Sequence, residues 1–212
     1  MSKLAISIFI IMILFMTTVV MTGVVYNQLP ARVPMHWNIK GEIDRYGPRA
    51  TVWMLPAIDL AMVGLFIGLA WSITKVEKER LSVLWMGVCV MAFFVVIQAL
   101  ILSASLGHKV DMTRWMGAAM SLMFGGLGRS MRDIPRNGLA GIRTPWTMAS
   151  VEAWRISHQR ASKIMVVGGI AGFLVSIILS GLAGILISVG SMLYTLIDSY
   201  VATRPARLNK AG

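Results

Sequence analysis

The sequence predicts an all-α protein: a polytopic membrane helical bundle of about six transmembrane helices, forming a single integral membrane domain over residues 1–212. Three observations predict it. Only 14% of the 212 residues are charged and 57% are hydrophobic, against roughly 25% charge in a soluble domain. The mean hydropathy is +0.73. Uncharged runs also recur at the length needed to cross a bilayer as helix, about 20 residues.

The elements follow in order. Residues 4–26 carry no charge. Met1-Ser2-Lys3 ahead of them mimics the start of a signal peptide. The run is too long for such a segment and ends in no small-x-small cleavage site, so it reads as a first span that is kept. Residues 51–74 hold one charge, Asp59, and residues 81–106 hold none. A fourth span over 111–131 has a short uncharged centre, so Arg114 and Arg129 must snorkel toward the interfaces. Residues 164–197 form a last apolar run without a charge. One helix of that length would be about 51 Å, far beyond the ~30 Å hydrocarbon core. Two short spans joined at Ser180-Gly181 fit instead.

Cations set the orientation. With the N-terminus inside, fourteen of the twenty Lys and Arg fall on the cytoplasmic side, including Arg204, Arg207 and Lys210. Both termini and the loop 129–163 are then cytoplasmic, and the loop 27–50 faces outward. The net charge of +11 lies in short loops between spans, where it meets anionic membrane lipid, so direct binding of nucleic acid is not expected. A single cysteine, Cys89, gives no disulfide framework.

Two polar loops interrupt the apolar runs. In the outer loop, Pro30, Pro34, Gly41, Gly47 and Pro48 break any regular helix. Between them lie His36, Trp37, Asn38, Glu42, Asp44 and Tyr46, the candidate extracytoplasmic ligand-binding residues. The acids and the His lack strong metal-ligand spacing, and no metal is expected. A surface for a peptide or lipid headgroup, and a plain cap held at the interface by Trp37 and Tyr46, both fit. In the inner loop, Asn137-Gly138 marks a turn. Thr144 and Pro145 then suit a helix start, which predicts an amphipathic cytoplasmic helix near 145–162. On it Thr147, Val151, Trp154 and His158 share a face, Glu152 and Arg155 can pair, and Trp146 and Trp154 anchor the membrane surface. The fork of Arg143 can hold a carboxylate, a phosphate or helix-end carbonyls, with Glu152 as the internal candidate. His158 reads as a hydrogen-bonded structural residue or a proton carrier.

Within the spans, Asp59 must point inward or find a partner. Arg114 is the expected mate, and Gln98 can join them as an intramembrane polar site or a register-fixing pair. Gly64-xxx-Gly68 and Gly168-xxx-Gly172 allow close helix crossings, within one bundle or between two copies of an oligomer. The chain lacks a nucleophile elbow, an HExxH and a glycine-rich phosphate loop, so neither an enzyme nor a cofactor is expected.

The run Gly141-Ile142-Arg143-Thr144-Pro145-Trp146-Thr147, with Asn137 before it and Glu152, Trp154 and His158 after it, resembles the signature of the SdpI family of bacterial membrane proteins. Leu29-Pro30, Pro34-Met35-His36-Trp37-Asn38, Gly41-Glu42 and Asp44-Arg45-Tyr46 resemble the uncharacterised N-terminal domain common in that family. The resemblance implies a multi-pass protein of the bacterial inner membrane that protects against a secreted peptide toxin. It also implies a relay that holds a small cytoplasmic transcriptional repressor at the membrane, with the inner motif residues binding the partner. The competing reading is a transporter or lipid-handling protein with Asp59, Gln98 and Arg114 along a route. Such proteins often carry internal repeats, and the two halves of this sequence show no convincing similarity.

Overall fold

The computed structural model describes residues 2–203; Arg204, Arg207 and Lys210, which the charge argument used, lie outside the described residues. The described residues hold six α-helices: α1 (Lys3–Val25), α2 (Met54–Ile73), α3 (Glu77–Ser105), α4 (Met112–Met131), α5 (Val151–Ile178) and α6 (Gly181–Ala202). Four of them start where a short polar side chain accepts a hydrogen bond from a first-turn amide. The pairs are Ser2 with Ala5, Asp111 with Arg114, Ser150 with Ala153, and Ser180 with Ala183. Each cap satisfies an amide that the helix itself cannot. The Ser180 cap divides the last apolar run into two helices, as its length demanded.

The same logic corrects the inner loop. No separate amphipathic helix covers 145–162. Ser150, not Thr144, caps the helix, and α5 runs unbroken from Val151 to Ile178. Thr144 holds only a single turn, with the Met148 N–H donating to the Thr144 carbonyl at 3.0 Å. Trp154 and His158 therefore sit in the first two turns of a bundle helix and are buried, while Val151 is 67% exposed and leaves their face.

Five of the helices are long and apolar enough to cross a membrane. The sixth, α4, is Gly- and Ser-rich, carries Arg114 and Arg129 near its ends, and packs against α3, α5 and α6. Many large apolar side chains point out of the bundle, among them Phe9, Leu60, Val167, Leu186 and Ile197. On helices of this length that surface is the one that meets lipid.

The outer loop is more ordered than its prolines suggested. Strands β1 (Arg32–Trp37) and β2 (Ile43–Pro48) form an antiparallel hairpin pairing Val33 with Gly47 and Pro34 with Tyr46, with a register shift near His36. A two-stranded ribbon has only edge strands, which is where proline is tolerated.

The helices pack as two triplets, α1–α2–α3 and α4–α5–α6, joined through α3 and α4. The first is filled by Ile11, Val83, Leu84 and Met91, and Ile134 and Trp154 from the inner loop and α5 close the same cluster. Beneath the hairpin, Leu29, Val33, Val52 and Leu102 form a second cluster. The second triplet is built on small residues. A Cβ on Gly169 would stand 2.7 Å from the Gly125 Cα, and Gly168 and Gly172 lie directly against Ser191 and Ser188. Gly168-xxx-Gly172 is thus an internal crossing. A Cβ on Gly64 or Gly68 would meet no atom within 4 Å, so that motif makes no close crossing among the described residues.

Candidate functional site

The inner motif closes on itself. The Asn137 side chain accepts from the Leu139 and Ala140 amides at 2.7 and 2.8 Å and donates to the carbonyls of Pro135 and Ala140 at 2.7 and 3.1 Å. Its amide uses both donors and its acceptor, so it knots the turn rather than facing a partner. Gly141 follows at φ +114°, where a Cβ would stand 2.5 Å from His158 Nε2. Only glycine supplies both that backbone and that clearance. The next amide, of Ile142, donates to His158 Nε2 at 3.0 Å, while His158 Nδ1 lies 2.9 Å from the Trp154 carbonyl. The ring is then a neutral tautomer, Nδ1–H donating and Nε2 accepting. It stacks on Trp154 at 4.0 Å between centroids. Trp154 Nε1 donates to the Ile134 carbonyl at 2.8 Å. Thr147, fully buried, donates to the Ile142 carbonyl and receives the Thr144 amide at 3.0 Å.

His158 is therefore a structural pin with both nitrogens committed. The Ser157 hydroxyl, 3.4 Å from Nδ1, lies within reach of the Ala153 carbonyl, so no activated nucleophile accompanies the ring. Arg143 does not pair with Glu152. Arg155 takes both Glu152 oxygens, at 2.5 and 2.8 Å, because three residues along one helix bring the two side chains together. Arg143 is exposed, with no hydrogen bond or ion pair among the described residues, and Pro145 beside it is exposed as well. Together they form the tip that the knot presents to water.

A second set of contacts ties the motif to α6. Trp146 Nε1 donates to Ser199 Oγ at 3.0 Å, and its indole meets the Tyr200 ring edge-on at 5.2 Å. Arg160 holds Asp198 by two hydrogen bonds, at 2.6 and 2.8 Å. Such a two-pronged, charge-assisted contact fixes direction as well as distance. The candidate residues read from the sequence include neither Asp198 nor Ser199. The signal was one acid, Asp198, near the end of the last apolar run, on the same side as the cations that open the run before it.

At the opposite end, the hairpin turn is knotted by Asn38. Its side chain donates to Glu42 at 2.9 Å and accepts the amides of Lys40 and Glu42. His36 Nδ1 and Asp44 Oδ1 are 2.6 Å apart, an exposed cross-strand pair. Glu42 is thus turned away from His36 and Asp44, and Tyr46 lies exposed on β2. The hairpin folds back onto the second triplet: Gly41, at φ +81°, sits where a Cβ would stand 2.7 Å from Thr113 Oγ1. Between them lies a cavity of about 390 Å³, lined by His36, Trp37 and Asn38 above and by Ile101, Met116 and Ile185 below.

The intramembrane set does not assemble as expected. Arg114 pairs with Asp111 at 3.1 Å, since the helix cap places that carboxylate within its reach. Asp59 is fully buried in the first triplet, and neither of its carboxyl oxygens has a hydrogen-bond partner among the described residues. Gln98 donates to Thr22 Oγ1 and to the Val52 carbonyl, both at 2.8 Å, and its own oxygen has no partner among the described residues.

The fold and these two ends define a multi-pass helical membrane protein with a hairpin cap and a knotted polar loop on opposite faces. Two family matches fall on those features. Residues 8–59 match a domain of unknown function, DUF1648, and residues 133–197 match the SdpI/YfhL protein family. The immunity protein SdpI of Bacillus subtilis (strain 168) is 26% identical over 205 residues, 96% of this chain and 95% of that relative. No solved structure gives a significant match. The resemblance carried by GIRTPWT and by the outer-loop motif therefore holds over nearly the whole chain.

Proposed function

We propose that this chain is an immunity protein of the bacterial plasma membrane. It protects its cell against a membrane-active peptide met on the outer face and passes that event to a cytoplasmic partner. One observation carries the reading: α6 touches both ends of the molecule. Near its start, Leu182 and Ile185 line the cavity under the hairpin. Near its end, Ser199 and Asp198 hold Trp146 and Arg160. A peptide side chain entering the cavity would bias the tilt of α6, and two bonded contacts would carry that bias to the loop bearing Arg143. A ligand shifts such an equilibrium only by its differential affinity for the two arrangements. An exposed, uncommitted Arg143 suits an acidic surface on a small repressor. The chemistry is binding and relay rather than catalysis.

The test uses cells lacking the gene, complemented with variants and challenged with membrane-active peptides. Ile185→Trp fills the cavity and is expected to abolish protection with normal membrane levels. Arg143→Ala is expected to spare membrane insertion and weaken recruitment of the partner. Full survival of both variants would overturn the reading. So would labelling from outside of a cysteine placed at residue 150, because the relay needs that loop in the cytoplasm.

A second reading is favoured by Asp59, whose unpaired buried carboxyl is the kind of group that marks an ion or proton route. Asp59→Asn separates the two: lost flux with intact protection supports transport, and intact flux supports immunity alone.

A further inference from the structure

The seam between α3 and α4 holds two cavities that neither end of the molecule uses. At the inner-loop end, a cavity of about 430 Å³ is lined by Lys78, Ser82, Trp85, Cys89 and Arg129. The next, of about 230 Å³, shares Cys89 and is walled by apolar side chains including Phe93, Val96, Ala119 and Leu122. The two follow one line: cations and a hydroxyl at one end, an indole next, then hydrocarbon only.

The dimensions match a leaflet. From Lys78 to Phe93 the helix rises about 22 Å at 1.5 Å per residue. That reaches from headgroup level past the midplane of a core ~30 Å thick. Trp85, 45% exposed, stands at the depth where indoles favour the water–lipid boundary. The charges are available. Arg129 is exposed and has no hydrogen bond or ion pair among the described residues. Among the described residues Lys78 is held only by Asp133, at 3.3 Å with its side chain 73% exposed. The seam is open because small residues face it. A Cβ on Gly126 would stand 2.5 Å from Cys89 Sγ, so the helices touch at that point and part on either side.

We propose that this seam is a binding site for one anionic phospholipid. Arg129 and Lys78 hold the phosphate, Ser82 faces the headgroup, and an acyl chain lies along Trp85, Cys89 and Phe93. Charge complementarity selects the lipid class, and the groove selects a chain rather than a free ion.

The full chain in nanodiscs of zwitterionic lipid, doped with brominated phosphatidylglycerol or brominated phosphatidylcholine, tests this. The Trp85 signal is the difference between the protein and its Trp85→Phe variant. Phosphatidylglycerol is expected to quench it at several-fold lower mole fraction. Each of Lys78→Gln and Arg129→Gln is expected to cut that preference about fivefold, the value of about 1 kcal/mol per cation at an anionic surface. Arg129→Lys is expected to retain it, and Asp133→Asn to retain or raise it. Circular dichroism of each variant confirms that the helices are intact. Equal quenching by the two lipids, or a preference that survives loss of both cations, would overturn the site. Reversal of quenching by added inorganic phosphate would overturn the lipid in favour of a free anion.

Discussion

The two triplets solve the same problem with opposite means. The α1–α3 half fills its interior with Ile11, Leu84 and Met91 and still leaves three side-chain oxygens, two on Asp59 and one on Gln98, without partners among the described residues. The α4–α6 half brings backbones together over Gly125, Gly169, Gly172 and Gly184. Most of its serines bond to neighbouring carbonyls or to one another, as Ser188 does to Ser121 at 2.7 Å, while the buried Ser176 hydroxyl has no partner among the described residues. In lipid, where tails are as apolar as leucine, close backbone approach is the main source of helix association. The second half is thus a tight rod assembly, well suited to carry α6 as a lever. The first is a softer scaffold with polar groups in reserve.

The largest test of that contrast adds one side chain to each half. Gly169→Val would drive a branched side chain into Gly125 and the Ser121 carbonyl, both 2.7 Å from the new Cβ. The expected loss is about 3 kcal/mol, the upper end of overpacking costs. A Cβ at Gly64 meets nothing within 4 Å, and Gly64→Val is expected to leave the unfolding midpoint in detergent unchanged. Equal losses at both positions would erase the distinction, and a loss at Gly64 alone would point to a second copy packing there.

Next in size is the loop that joins the halves. Gly141→Ala must hold φ +114° against His158 and Trp154. Strain of this kind costs about 1–3 kcal/mol. The expected readout is faster proteolysis within 132–150 and a red-shifted Trp emission, with the far-ultraviolet helical signal unchanged. Trp154→Phe keeps the ring stack but leaves the Ile134 carbonyl without its donor at 2.8 Å. It should cost about 1–2 kcal/mol, read as the same loop loosening to a smaller degree.

Much of this was legible in the sequence because apolar run length and cation bias are properties of the chain itself. The helices and the break at Ser180 followed from length against bilayer thickness. Asn137, Gly141, Trp154 and His158 stood out as a cluster, but not what they do, since their roles are contacts to backbone groups that only the folded loop brings near. The start of α5 was misplaced because Thr144-Pro145 reads as a helix opening, whereas Ser150, the stronger cap, holds the Ala153 amide at 3.0 Å. The hairpin was hidden by its prolines, which read as breakers in a helix and are tolerated at a ribbon edge. The Asp59–Arg114 pair failed because Asp111, three residues from Arg114, wins by proximity.

Asp59 supplies the smallest and most discriminating prediction. Thr18 is the polar side chain that faces it, yet the Thr18 hydroxyl donates to the Phe15 carbonyl at 2.8 Å. The hydroxyl has a single proton, so turned to the carbonyl it offers Asp59 lone pairs only, and turned to the carboxyl it leaves the Phe15 carbonyl without it. Asp59→Asn offers an N–H to that lone pair and removes a buried group that cannot be satisfied as an anion. Because an unsatisfied buried polar group costs more than a made hydrogen bond returns, the variant is expected to match the parent or to gain about 1 kcal/mol in detergent. In the α4–α6 half the reverse holds: Ser188→Ala removes a hydroxyl bonded at 2.7 Å to Ser121 and is expected to lose a similar amount. A gain in the first half beside a loss in the second would show that the soft triplet keeps Asp59 for something other than stability. If Asp59→Asn instead weakens the fold as much as Trp154→Phe does, the carboxyl is a structural member after all, and the contrast between the halves reduces to side-chain size.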